Sequence, residues 1–400
     1  MKKKFVLLAL AVVLVAAISV TAFAVLEEPE EEPYVDSWEA TENMTDEELI
    51  AIGHEILGCG QGSLPQYAFA VCFRLEEIDP DLADACFDYI LKNALPAEQP
   101  KQKENVPQQQ DGEDERFGVY VRDGNGGHYE YYDFDDETSA APEVEDNSIL
   151  EEDDLIIPQA AGDRTTIYNP KDNLLTSTIC KIVARRNDGE WSVGSGFFLN
   201  DTVVGTAAHV IYPEKWAPPL SSSGWAYEVF IVQAYAPTAT DTEPYGRVFA
   251  DCKQMAVGAK WKDEFDYDAD WGLFVLRGTM KGSNPCLTRK QIDPKSYTNT
   301  TITYGYPSGA DYSGLSMLRI TGKASTKPVN APSYRVLYST DSQGAAGEGY
   351  HGMSGGPVLD AYGKVIGIFT GTTADKSISP QRAMAVGMDV DLYKFLSRYK

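Results

Sequence analysis

The chain has 400 residues, 43% of them hydrophobic, which is enough apolar material for more than one packed core and too much for a chain disordered throughout. Its 34 Gly and 22 Pro sit near average usage and exclude collagen-like and low-complexity chains. The formal charge of −26 is unevenly spread: residues 1–162 hold 9 Lys and Arg against 37 Asp and Glu, a net of −28, while residues 163–400 hold 25 against 23, a net of +2. No basic footprint is present, so nucleic acid is not an expected partner.

The N-terminus opens with Lys2, Lys3 and Lys4 and runs apolar from Phe5 to Ala24. Ala22-Phe23-Ala24 gives a small-x-small cleavage pattern, so residues 1–24 are predicted to be a signal peptide. The alternative is an uncleaved anchor, since about 20 apolar residues also span a bilayer. The mature protein is expected to be secreted, extracellular or held at the cell surface, and free of the membrane after cleavage. An oxidising exterior permits disulfides. Cys59, Cys72 and Cys86 lie in the acidic part, and Cys180, Cys252 and Cys286 in the neutral part. Three in each part means that a bridge crosses between them or that each keeps a free thiol.

Residues 25–154 read as an acidic pro-region or accessory region. Residues 25–43 are acidic, Pro-containing and predicted to be flexible. Residues 45–93 are predicted to be helical: Thr45-Asp46-Glu47-Glu48 fits a capping box, Leu49, Ile52, Ile56 and Leu57 recur at helical spacing, and Gly58 can end the helix. Two further helices are expected over 66–76 and 81–93. Residues 97–116 read as a linker. Phe117 to Phe134 reads as a hairpin around Asp123-Gly124-Asn125-Gly126-Gly127, and 135–154 is again acidic.

From about 165 the pattern changes to short apolar runs between turn clusters: Thr178–Ala184, Gly196–Leu199, Thr202–Thr206, Glu228–Gln233, Gly272–Leu276, Thr301–Tyr304 and Val365–Phe369. Many short strands of this kind read as an all-β barrel or sandwich. Only the end, Val390–Tyr399, reads as a helix, with Leu392, Phe395 and Leu396 on one face.

Three sites stand out in the β region. Gly194-Ser195-Gly196 precedes Thr206-Ala207-Ala208-His209-Val210, so a strand delivers a histidine just after small residues. Asp266-Tyr267-Asp268-Ala269-Asp270 leads into the apolar run Trp271–Val275. Gly352-Met353-Ser354-Gly355-Gly356-Pro357 puts a serine among glycines, where backbone amides can point at a developing oxyanion. A serine hydroxyl needs a histidine base, and that histidine needs an acid to fix its tautomer. The order His209, Asp270, Ser354 supplies these roles. It also separates rivals. Gly352-x-Ser354-x-Gly356 matches the nucleophile elbow of α/β-hydrolases, but that fold places its histidine after the serine, and the four histidines are His54, His128, His209 and His351. A subtilisin order would need Asp172 or Asp188 as the acid, and neither leads into a parallel α/β pattern. Asp266-x-Asp268-x-Asp270 imitates the start of a calcium loop, yet its glycine, Gly272, comes one place late and its twelfth position is Arg277. No metal site is expected.

These motifs resemble chymotrypsin-fold serine proteases, most closely the bacterial glutamyl-endopeptidase branch that includes the exfoliative toxins. Val210, where vertebrate members carry Cys, fits that branch, as do Asp163-Arg164-Thr165-Thr166-Ile167 and Val365-Ile366-Gly367-Ile368. The resemblance covers 155–400. It implies a mainly β, chymotrypsin-like double β-barrel with a C-terminal helix, the barrels meeting near 277–295. It further implies His209 as base, Asp270 as its orienting acid, Ser354 as nucleophile, and the amides of Gly352 and Ser354 as the oxyanion hole. It implies no cofactor, a monomer, and a protein or peptide substrate. Two positions depart from the glutamate-specific pattern: Phe369 stands where a P1-binding His is expected, and Gly349 where a Thr is expected. The pocket candidates are Gly349, Tyr350, His351, Phe369, Thr370 and Gly371. An acidic P1 would fall to His351, whereas Phe369 allows an apolar one.

Glu151-Glu152-Asp153-Asp154 precedes Leu155-Ile156-Ile157-Pro158. In the resembling branch a mature N-terminus lies near such an apolar-Pro segment, so a cut around 154–156 is expected to release 25–154. Before the cut, the segment at 117–134 would block the cleft as an added strand. The alternative is a retained accessory domain. The runner-up reading of the whole chain is a binding protein on the same fold with weak or no proteolysis.

Overall fold

The computed structural model describes residues 36–60, 63–96, 117–123, 127–134, 164–186, 189–213, 224–237, 239, 241–282, 286–308, 316–325, 336–340, 351–372 and 383–399. The signal segment, the linker at 97–116, the acidic stretch at 135–154 and the expected cut lie outside them. No described helix is long and apolar enough to cross a membrane.

Four helices come first: α1 (Ser37–Thr41), α2 (Asp46–Gly58), α3 (Ala68–Ile78) and α4 (Pro80–Asn93). The capping box of α2 forms as expected, with Thr45 and Glu48 satisfying each other's amides. Leu49 and Ile56 face the core, whereas Leu57 turns to solvent. Asp79 caps α4, and Pro80 occupies its first turn, where no amide is missed. Next come β1 (Leu95–Pro96) and the hairpin of β2 (Phe117–Arg122) and β3 (Gly127–Tyr132).

β4 (Arg164–Ile167) leads into two rings. The first contains β5 (Ile179–Arg185), β6 (Trp191–Phe198), β7 (Val203–Thr206), β8 (Glu228–Gln233), β9 (Arg247–Gly258) and β10 (Gly272–Leu276). The pairing runs β10-β7-β6-β5-β8-β9 and closes through β9–β10. Between its strands lie α5 (Ala208–Ile211) and α6 (Ala259–Glu264). The second ring contains β11 (Thr300–Gly305), β12 (Met317–Ser325), β13 (Val336–Thr340), β14 (Pro357–Leu359), β15 (Val365–Thr372) and β16 (Ala383–Gly387). Its pairing runs β11-β14-β15-β16-β13-β12 and closes through β11–β12, with β4 added on β12. α7 (Val390–Leu396) ends the chain. The architecture is the expected chymotrypsin-like double barrel, with the crossover between Leu276 and Thr300.

The acidic front half is packed into the first barrel. A half-exposed strand alternates, but every residue of β5 and β8 is buried: α3 packs on β8, and β11 of the second barrel on β5. Phe69 of α3 and Phe87 of α4 meet Phe230 of β8 edge-on, with ring centroids at 4.8 and 5.3 Å. Both halves share one continuous apolar core. Beneath it Arg185 and Glu228, partners across β5–β8, form a fully buried ion pair with Nη1 and Oε2 3.2 Å apart. Each also reaches the helical unit. Arg185 donates to the carbonyls of Leu64 and Pro65, and Glu228 accepts the Ala70 amide at 3.0 Å. Burial pushes the Glu228 carboxyl up, against the pull of Arg185. Around the rim Arg247 pairs with Asp84, Lys253 with Glu39, and Arg277 with Asp36. β1 pairs with β6, and β2 adds antiparallel to β9. The hairpin therefore adds its strand to β9 of the first barrel, whereas the sequence reading placed it across the cleft; there Phe117 stacks on Trp271 and Tyr120 on Trp225.

All six cysteines are thiols, and Cys59, Cys72 and Cys86 lie in the helical unit. Burial pushes the Cys252 thiol up to about 12 and Cys286 up to about 11.

Two outcomes follow from this packing. Glu228→Gln leaves the Arg185 charge buried without its counter-ion, so it should lower unfolding free energy by about 3–5 kcal/mol in a denaturant titration. A raised thiol pKa stabilises fully below pH 9, where unfolded thiols keep their protons too, and that contribution is lost as pH climbs through 9 toward 12. Under reducing conditions, stability should fall above pH 9, and Cys252→Ala should remove about 2 kcal/mol of the fall at pH 10.5.

Candidate active site

β7 ends at Thr206, and the single turn α5 then carries His209. On the neighbouring strand, Asp270 closes a 3-10 turn of Tyr267–Ala269 immediately before β10. Gly272 pairs with Thr206, and this register brings the two side chains together. One oxygen of Asp270 accepts the His209 backbone amide at 2.9 Å, and the other lies 2.8 Å from Nδ1. The carboxylate thus fixes both the position and the ring orientation of the histidine. Trp261 of α6, fully buried and donating to the Tyr212 carbonyl, stands with its ring 6.2 Å from the imidazole. Asp266 turns away to cap the Asp268 amide, so the calcium-like spacing does not converge its carboxylates. Among the described residues no group of three His, Cys, Asp or Glu could hold a metal.

Ser354 lies between β13 and β14, just before β14, pressed against the first barrel. Its carbonyl accepts the Ser195 amide of β6 at 2.7 Å. Gly352 and Gly355 both have φ of +88°, a region that favours glycine. A Cβ on Gly355 would strike the Ser195 carbonyl and the Thr206 hydroxyl, so the seam between the barrels closes only without a side chain there. Gly355 also donates to the Phe369 carbonyl at 2.7 Å, which ties the loop to β15.

The three expected residues are thus gathered at one seam: Ser354 is 0% exposed, Asp270 0% and His209 1%. The bond from serine to histidine is not formed. Ser354 Oγ donates to the Thr370 carbonyl at 3.4 Å, and His209 Nε2 is buried without a partner. Neither the Gly352 nor the Ser354 amide donates to a described residue. Both are available to an oxyanion.

Of the pocket candidates, Gly349 and Tyr350 lie outside the described residues. His351 is half-buried; its Nδ1 is buried without a partner, and its carbonyl accepts the Ser308 amide at 2.5 Å. Phe369 packs into the second barrel's core with Met353 and Ile366. Thr370 and Gly371 form a bulge in the β15–β16 register, and the Thr370 hydroxyl donates to Met384. Sequence reasoning missed Ser195 and Ser308, both of which bond to this loop. The only signal for Ser195 was its place in a small-residue run.

Two closed six-stranded barrels with a His-Asp pair on one side of the seam and a Gly-framed serine on the other define a chymotrypsin-like protein. Residues 194–368 match the trypsin-like peptidase domain family. The solved structures similar to it include a Glu endopeptidase in complex with MPD, 14% identical, with a TM-score of 0.46 over 60% of this chain and 98% of that one. The protease Anisep from Arthrobacter nicotinovorans is 17% identical, with a TM-score of 0.44 over 59% and 100%. The thermostable serine protease AL20 from an extremophilic microorganism is 18% identical, with a TM-score of 0.43 over 57% and 100%. No curated protein matches the sequence.

Gly355→Ala combines a positive φ with a backbone collision. It should lower unfolding free energy by about 2–4 kcal/mol, measured by chemical denaturation.

Proposed function

We propose that the protein is a secreted bacterial serine endopeptidase, acting as a monomer on protein or peptide substrates through Ser354, His209 and Asp270. The observation that carries this reading is the double hold of Asp270 on His209. With Nδ1 donating to the carboxylate, the neutral imidazole carries its lone pair on Nε2, the nitrogen left without a partner. Ser354 Oγ attacks the peptide carbonyl while its proton passes to Nε2. The amides of Gly352 and Ser354 receive the oxyanion. The imidazolium then protonates the leaving amine as the C–N bond breaks, and water releases the acyl group by the same steps. This acyl transfer draws on no metal or organic cofactor.

The burial of Ser354 and His209, together with the bond from Ser354 to Thr370, supports a latent form in the full-length chain. Activation in this reading is a cut around 154–156 followed by rotation of the serine hydroxyl toward Nε2. The shared core and the Arg185–Glu228 anchor favour the retained alternative over release: residues 36–134 stay bound after the cut.

The test is labelling with a serine-directed fluorophosphonate, read by peptide mass, on the mature chain intact and on the same chain cut at 154–156 with both pieces present. The expected result is an adduct on Ser354 in the cut form alone, with turnover falling on the order of 10⁴-fold or more in Ser354→Ala. An adduct in both forms keeps the protease and removes the latency. Folded protein with no adduct in either would replace the protease with a binding protein.

A further inference from the structure

The hydroxyl of Ser195 sits where three segments meet. It is fully buried in β6, and its two hydrogen-bond roles are fixed by its neighbours. The Tyr306 amide, which can only donate, reaches Oγ at 2.8 Å. The Gly352 carbonyl, which can only accept, takes the hydroxyl proton at 2.8 Å. The backbone amide of the same residue holds the Ser354 carbonyl. One residue of the first barrel thus grips the nucleophile loop on both sides of Met353.

The consequence lies in the peptide planes. A trans peptide points its N–H opposite to its C=O, so a held carbonyl aims the amide across the same bond. The amides of Gly352 and Ser354 belong to the outer two of three consecutive planes. The carbonyl of the first, His351, accepts the Ser308 amide, and that of the third, Met353, accepts the Gly356 amide at 2.9 Å. The plane between them is the one whose carbonyl Ser195 holds. Gly352, at φ +88° and without a Cβ, offers little resistance to rotation of that middle plane. Each outer plane is held at its own carbonyl, and the Ser195 hydroxyl holds the plane that joins them, so it is the first barrel's hold on their relative orientation.

We propose that Ser195 is a positioning residue for the oxyanion hole, setting the relative aim of the Gly352 and Ser354 amides through the Gly352 carbonyl. This rests on the protease reading above. Ser195 touches no reacting atom and leaves His209 alone, so its loss should act on the transition state and spare substrate binding and the histidine.

The experiment uses the cut enzyme with both pieces present. In Ser195→Ala, kcat should fall about 10- to 100-fold with KM within about twofold, less than the loss of an oxyanion donor itself. Inhibition by a peptide boronic acid, which places a negative oxygen in the hole, should weaken by the same factor. The midpoint of the acid limb of kcat/KM should stay put. Ser195→Thr, which keeps the hydroxyl, should retain kcat within about threefold. Unchanged kcat in folded Ser195→Ala overturns the proposal, as does a loss in KM alone, a moved acid limb, or a Thr variant as impaired as the Ala one. If the Ala variant does not fold, the Thr variant decides: kcat kept supports the role, and kcat lost tenfold removes it. An inert unsubstituted enzyme instead overturns the protease reading.

Discussion

The two barrels meet backbone to backbone at the seam between β6 and the nucleophile loop, and the site depends on that contact. The distance is set by what is missing: a single Cβ on Gly355 would drive the loop from Ser195 and Thr206. From this closeness the rest follows. The Ser195 amide can reach the Ser354 carbonyl, and Ser354 comes to rest beside the turn that carries His209. The acid is supplied from the other direction, by the register of β10 on β7. The site is thus the crossing point of a register and a steric gap, with the Asp270 carboxylate and the Ser195 hydroxyl holding its parts in place.

The front half of the chain is held by a different kind of force. Apolar faces of α3 and α4 supply the area, and the buried pair of Arg185 and Glu228 supplies the orientation. Such a pair contributes little net stability against an apolar substitute, but it penalises any arrangement that leaves one charge alone. Its extra bonds to the Leu64 and Pro65 carbonyls and the Ala70 amide make the docked helical unit the arrangement that satisfies both charges.

Much of this was legible in the sequence. Glu228–Gln233 and Gly272–Leu276 form strands with the expected bounds, because apolar runs between turn residues have few other uses. The capping box and the hairpin form where local chemistry requires them. The three site residues could be read because each sits in a short local motif. What could not be read is non-local. The β9 strand runs twelve residues through Asp251, Lys253 and Gln254, and its pattern reflects service to three neighbours. The docking of the acidic front half could not be read because its cationic partners, Arg247, Lys253 and Arg277, lie far along the chain. Phe369 looked like a pocket wall by its position after the nucleophile, yet it turns into the core with Met353. Ser195 looked like a spacer because its partners, Tyr306 and Gly352, are more than 100 residues away.

The docking of the helical unit also sets an order of events at the birth of the protein. Ala70 finds its hydrogen-bond partner 158 residues later, and Phe69 of α3 meets Phe230 only when β8 has been made, although Phe73 already packs on Phe87 of α4. Contacts of such long range form slowly, after the local ones. The helices of the front half can therefore complete their packing only once β8 has been made.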